Sequence, residues 1–168
     1  MNHNDLIRKI KAGKYSKINV VGSPGSGKSS LSYFIHQKLG YDVFDLDDFL
    51  YHGEIKCKRK SEQDTIDEID KILRGDKFII DGTYTSSLSN RLKKVDLIIL
   101  IDTPQIIAIF RFFKRLFVSK KLKCGERLTR KTFILILTFG RKKKNRIKQL
   151  AFDHGVDVIL YDGISLKI

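Results

Sequence analysis

Residues 22–29 read Gly22-Ser23-Pro24-Gly25-Ser26-Gly27-Lys28-Ser29, a full match to G-x-x-x-x-G-K-[ST]. Before them, Lys17-Ile18-Asn19-Val20-Val21 is a short, β-branched apolar run of strand type. After them, Leu31, Phe34, Ile35 and Leu39 fall at helical spacing and Gly40 closes the segment. A glycine loop between strand and helix is the context in which this pattern binds phosphate. Gly22, Gly25 and Gly27 let the backbone turn tightly and aim its N–H groups at anionic oxygens. The helix N-terminus adds a partial positive charge. In such a loop Lys28 reaches the β- and γ-phosphates and Ser29 ligates Mg²⁺, while Ser23, Pro24, Ser26 and Ser30 complete the cradle. The stretch predicts a nucleoside triphosphate site with Mg²⁺ as its ion.

Five strand candidates, 17–21, 42–45, 77–81, 96–102 and 156–161, alternate with helical segments. That alternation predicts an α/β fold, a parallel sheet with helices on both faces. The nearly continuous apolar character of the strands predicts burial on both sides. Ser61-Glu62-Gln63-Asp64 is a variant capping box that opens a helix through Leu73, ending near Gly75. A second helix follows Thr103-Pro104 toward Phe117, with Ile106, Ile107, Phe110 and Phe113 read as inward. A last helix covers roughly 142–153. Residues 118–131 are polar, basic and glycine-containing, and read as a mobile lid. With no linker or repeat, residues 1–168 are expected to form one domain.

Ligands of open parallel sheets sit at the carboxyl ends of the strands. The second strand runs into Asp45-Leu46-Asp47-Asp48, three carboxylates in four residues. Transfer of a phosphoryl group to a hydroxyl is helped by a carboxylate that orients the hydroxyl and accepts its proton. Asp47 is the first candidate and Asp48 the second; the alternative is that these residues cap a following helix. The third strand ends Ile79-Ile80-Asp81-Gly82, an apolar strand closing on a carboxylate suited to Mg²⁺ or its waters. There Gly82 leaves room for a ligand near the backbone. Asp102 ends the fourth strand, as a ligand or as a cap ahead of Thr103-Pro104. Arg111 and Arg115, four apart, share a helix face and suit the charge that develops on a transferring phosphoryl group. Arg127 and Arg130, in the expected lid, are placed to swing in on closure.

The chain carries +14, and the charge is concentrated. Residues 91–150 hold 18 Lys and Arg against Asp96, Asp102 and Glu126. Runs such as Lys120-Lys121 and Arg141-Lys142-Lys143-Lys144 suit a phosphate backbone, so a polyanionic partner is expected, with a solvated basic surface as the alternative. Cys57 and Cys124 lack metal-type spacing and read as free thiols of a reducing compartment. The polar N-terminus reads as no signal peptide, and the longest apolar run, Phe133–Leu137, is too short to span a bilayer. A cytoplasmic protein without stable membrane insertion is the expectation.

With these pieces in place the chain resembles the small P-loop kinases of the adenylate-kinase-like group over nearly its whole length. Gly22–Ser29 is similar to the nucleotide-kinase form of the loop, and Phe78-Ile79-Ile80-Asp81-Gly82 resembles the group's third-strand motif. Asp102-Thr103-Pro104 with Arg111 and Arg115 resembles its lid-hinge helix. Leu46-Asp47…Tyr51 and Ile80-Asp81-Gly82-Thr83-Tyr84…Arg91 are similar to the topology-modulation subgroup. The resemblance implies strand order 2-3-1-4-5, use of ATP and Mg²⁺, a short basic lid, Arg111 near ATP, and Arg91 as an acceptor-site residue. Thr83-Tyr84-Thr85 stands where nucleoside-monophosphate kinases of the group usually carry an arginine. The Asp47-Asp48 pair more closely resembles kinases that phosphorylate a hydroxyl. These readings lead to an ATP:Mg²⁺ phosphotransferase acting on a hydroxyl of a nucleotide or nucleic acid, such as a DNA 5′-hydroxyl or a hydroxymethylated base. A nucleoside or nucleoside-monophosphate kinase, and an ATP-gated nucleic-acid-binding regulator, are the alternatives.

Overall fold

The computed structural model describes residues 1–52, 58–84, 88–118, 134 and 136–165. Five strands form one parallel sheet: β1 (Lys17–Val21), β2 (Asp42–Asp45), β3 (Phe78–Asp81), β4 (Leu97–Asp102) and β5 (Asp157–Asp162). Their order is β2-β3-β1-β4-β5, the expected 2-3-1-4-5. The helices are α1 (His3–Ala12), α2 (Lys28–Leu39), α3 (Leu46–Leu50), α4 (Glu62–Ile72), α5 (Leu88–Leu92), α6 (Gln105–Val118) and α7 (Arg141–Asp153). A short antiparallel pair, Tyr51–His52 with Lys58–Arg59, follows α3.

The period-two alternation of the strands divides the core between the two faces. Ile79, Leu97, Ile99 and Ile101 pack with Leu6 and Ile10 of α1 and Leu31 and Ile35 of α2. Ile80, Ile98 and Leu100 pack with Ile69 and Ile72 of α4, Leu88 and Leu92 of α5, and Ile147 and Ala151 of α7. Each such leucine or isoleucine contributes about 1.5–3 kcal/mol by leaving water. Ser61 caps α4, its hydroxyl accepting from the Asp64 N–H at 3.1 Å, which is the N-cap half of the expected capping box.

Two expectations change, and one element was not expected. Burial on both faces holds for β1, β3 and β4 but not for β2 and β5. Asp42 and Val43 are exposed, as are Asp157 and Leu160, because edge strands lack a neighbour and part of their helical cover. Helix α1 was not legible as an element, although its Asn2 cap and Asp5 N–H close at 2.8 Å and Leu6 and Ile10 are fully buried. On α6 the inward residues are Ala108 and Phe112, with Ile136 against them, whereas Ile106 and Phe110 are 81% and 68% exposed. The apolar residues of this helix cover more than one face, so the sequence does not say which stripe packs inward.

Candidate active site

Beyond the ends of β1, β3 and β4 the glycine loop is built from the backbone up. Gly25 and Gly27 lie at φ +76° and +94°, in the left-handed region where a side chain adds strain. A Cβ on Gly25 would come within 2.2 Å of the Ala108 carbonyl oxygen, so the loop rests directly on the backbone of α6. Lys28 opens α2, and its ammonium donates to the Ser23 carbonyl at 3.0 Å, folding the side chain back over the loop. Ser29 and Ser30 are exposed in the first turn of α2, and Pro24 is half-buried. Ser26 is fully buried, and its hydroxyl has no hydrogen-bond partner among the described residues.

Two threonines pin this loop. Thr83, just past β3, accepts from the Gly22 N–H at 2.9 Å and donates to the Gly22 carbonyl at 2.7 Å. Thr103, just past β4, donates to the Ser26 carbonyl at 3.1 Å. Neither was singled out as a site residue from sequence; the signal for both is a hydroxyl within two residues of a strand-ending aspartate. Asn19 was missed too, although a carboxamide inside an apolar strand is a legible anomaly. It is fully buried and donates to the Ile80 and Gly82 carbonyls at 2.9 and 3.3 Å.

The carboxylates gather at the same edge. Asp45 and Asp81 are register partners at the ends of β2 and β3, and Asp81 is buried. The Asp45 carboxylate accepts from the Asp47 N–H at 3.0 Å, so Asp45 is the residue that caps α3. Asp47 is half-buried and Asp48 exposed in the first turn of α3. Gly82, at φ +144°, corrects an expectation: a Cβ there would lie 2.8 Å from the Leu46 Cβ. Its open flank is filled by the head of α3 rather than left for a ligand. Asp102 is ion-paired with Lys144 and lies in register with Asp162 on β5.

The arginines separate into two settings. Arg111 donates to the Gly163 and Ile164 carbonyls at 2.6 and 3.2 Å, which ties α6 to the turn after β5. Arg115 is half-buried, with its guanidinium 5.9 Å from the centre of the Phe112 ring. Arg91, expected at an acceptor site, is instead fully buried beneath the β3 loop. Burial pushes its guanidinium down to about 9, which still leaves it protonated at neutral pH. Arg127 and Arg130 of the expected lid, and Cys57 and Cys124, lie outside the described residues.

A gluconokinase structure from Sinorhizobium meliloti 1021 superposes with a TM-score of 0.56 at 14% identity, covering 90% of this chain and 84% of the other. The chain has the small P-loop kinase fold. A Thermococcus kodakarensis protein, provisionally named an adenylate kinase, is 32% identical over 96 residues, which is 54% of this chain. The chain spans about half the length of that curated relative, 52%. No protein-family model matches. These likenesses concern the wider adenylate-kinase-like group and do not reach the topology-modulation subgroup. Among the described residues no helix is long and apolar enough to cross a membrane.

Proposed function

We propose that the chain is an ATP- and Mg²⁺-dependent phosphotransferase that passes the γ-phosphoryl group to a hydroxyl of a nucleotide or nucleic acid. The observation that carries this reading is the glycine loop pinned by Thr83 and Thr103 beside Asp81 and the head of α3. The donor set suits a bound triphosphate and its metal. Left-handed glycines present backbone N–H groups, an orphaned Ser26 hydroxyl lies within the loop, and a lysine and a serine open α2. Mg²⁺ in phosphate sites takes one or two protein oxygens and keeps several waters, which fits Ser29 and Asp81.

In this reading Lys28 and the loop amides hold the β- and γ-phosphates, and Ser29 with Asp81 would hold the ion. Bound Mg²⁺ supplies neutralisation of the charge that develops on the bridging oxygens. Asp47, fixed in the first turn of α3 by the Asp45 cap, orients the acceptor hydroxyl and takes its proton, with Asp48 beside it. Arg111 and Arg115 neutralise the equatorial oxygens, and Arg127 and Arg130 close over the acceptor. Arg111 also lies against the turn after β5, where it bears on the nucleotide. The acceptor's polyanionic character is supported by Arg141, Lys142, Arg146 and Lys148, all exposed on α7, the helix whose Lys144 reaches Asp102 at the end of β4.

A second reading, a nucleoside or nucleoside-monophosphate kinase, is favoured by the name of the Thermococcus relative. Incubation with γ-labelled ATP against nucleosides, nucleotides, DNA, modified DNA and RNA separates the two. Label on a polynucleotide hydroxyl supports the first, and rapid turnover of a free nucleotide insensitive to added nucleic acid supports the second. ATP-dependent DNA affinity without any labelled product supports a non-catalytic regulator instead. Label appearing only as inorganic phosphate, with no such DNA affinity, contradicts all three.

A further inference from the structure

Arg91 is a long cation with no exposed surface, set in α5 below the catalytic edge. Its Nη1 donates to the Asn19 carboxamide oxygen at 2.9 Å and to the Gly82 carbonyl at 3.3 Å. Its Nη2 donates to the Tyr84 carbonyl at 2.5 Å. The two carbonyls are those on either side of Thr83, and Thr83 is the residue that grips both polar backbone groups of Gly22. Asn19 closes the circuit by also donating to the Gly82 carbonyl. One guanidinium fork therefore joins the middle of β1, the segment after Asp81 and, through Thr83, the first residue of the glycine loop. A planar donor with fixed angles can hold two carbonyls and an amide at once, which a lysine's point charge cannot do in the same geometry.

We infer that Arg91 is a positioning residue: it sets residues 81–84 and, through Thr83, the glycine loop in its phosphate-binding shape. The inference deepens the phosphotransferase reading and rests on it for the nucleotide-binding readout alone. It also accounts for the place of Arg91 in the chain. A residue needed for the acceptor would face the crevice, whereas this one has no exposed surface.

The test compares wild type with Arg91→Lys, Thr83→Val and the double variant. Melting temperature reports the fold, backbone hydrogen exchange in the ligand-free protein reports the loop, and titration with a fluorescent ATP analogue plus Mg²⁺ reports the site. Both single variants are expected to speed exchange across 22–27 and 81–84 while α1 and α7 keep wild-type protection. Both should weaken MgATP binding about tenfold, the usual scale for residues that orient a binding shell. The double variant should bind no more weakly than the worse single variant, because both lie on one path. A lowered melting temperature for Arg91→Lys, with wild-type loop exchange and MgATP affinity, would overturn the inference. Independent, additive losses in affinity would overturn it too. If Arg91→Lys does not fold, Thr83→Val decides alone, and wild-type exchange and affinity in that variant count against the proposal. If the wild type binds no MgATP, the phosphotransferase reading falls while the exchange data still decide the role of Arg91.

Discussion

Thr83 and Gly22 hold each other twice, the Thr83 hydroxyl accepting from the Gly22 N–H and donating to its carbonyl. This pair joins the end of β3 to the start of the glycine loop, so the strand-ending carboxylate Asp81 and the loop form one unit. Thr103 does the same at Ser26 from the end of β4. A Cβ on Gly163 would lie within 1.7 Å of the Thr103 hydroxyl, so the turn after β5 supports that second pin. Thr103→Val should keep the fold, lose one buried hydrogen bond worth about 0.5–1.5 kcal/mol, and weaken MgATP binding. Calorimetric titration checks it, and unchanged affinity would remove Thr103 from the site.

Gly25 offers a sharper contrast. Gly25 and Gly40 have nearly the same φ, +76° and +71°, but a Cβ on Gly40 meets nothing within 4 Å. Gly40→Ala should therefore show only the left-handed strain, about 1–2 kcal/mol. Gly25→Ala adds a collision with the Ala108 backbone, for a further ~1–3 kcal/mol, and should also lose MgATP binding. Denaturant melts of the two variants side by side give the difference.

On α6 the exposure pattern predicts opposite outcomes for residues two apart. Phe112→Ala empties a fully buried site and should cost about 3–5 kcal/mol. Phe110→Ser changes a residue that is 68% exposed and should stay within about 0.5 kcal/mol of wild type. The reverse order of stabilities would mean that the helix is rotated.

How far the chain could be read beforehand follows from the same elements. The glycine loop, the Ser61 cap and Asp81 at the end of β3 depend on local patterns and are legible in the sequence, whereas the strand order came from the resemblance to the adenylate-kinase-like group. The inward face of α6 was not legible, because its apolar residues span one broad arc, with Phe112 toward one edge and Ile106 and Phe110 toward the other. The resemblance makes Arg91 an acceptor-site residue, and the sequence alone does not show its depth. The carbonyls it holds are backbone atoms, which leave no trace in residue identity. Asn19 was the available clue, a buried carboxamide that needs partners across strands. Thr83 and Thr103 act on loop backbone groups; a hydroxyl within two residues of a strand-ending aspartate marks their place in the sequence, and the fold shows what they hold.

The Tyr15 hydroxyl donates to the Asp157 carboxylate at 2.5 Å, joining the loop after α1 to the start of β5. That hydrogen bond, followed by partial burial, raises the tyrosine above its usual 10.0. The folded state then holds the phenolic proton more tightly than the unfolded chain. The stabilisation is therefore fully present below about pH 10 and lost as pH rises through the elevated value. The melting-temperature gap between wild type and Tyr15→Phe should stay constant from neutral pH to pH 9 and narrow above pH 10. A gap that widens there would contradict the assignment.

The most direct measurement of the proposed chemistry is single-turnover transfer from γ-labelled ATP, run on wild type, Lys28→Ala and Asp47→Asn with MgATP affinity measured in parallel. We expect Lys28→Ala to transfer no label. Asp47→Asn should bind MgATP as wild type does while its transfer rate falls at least about 10²-fold. Transfer at the wild-type rate by either variant would contradict the roles given to the glycine loop and to Asp47.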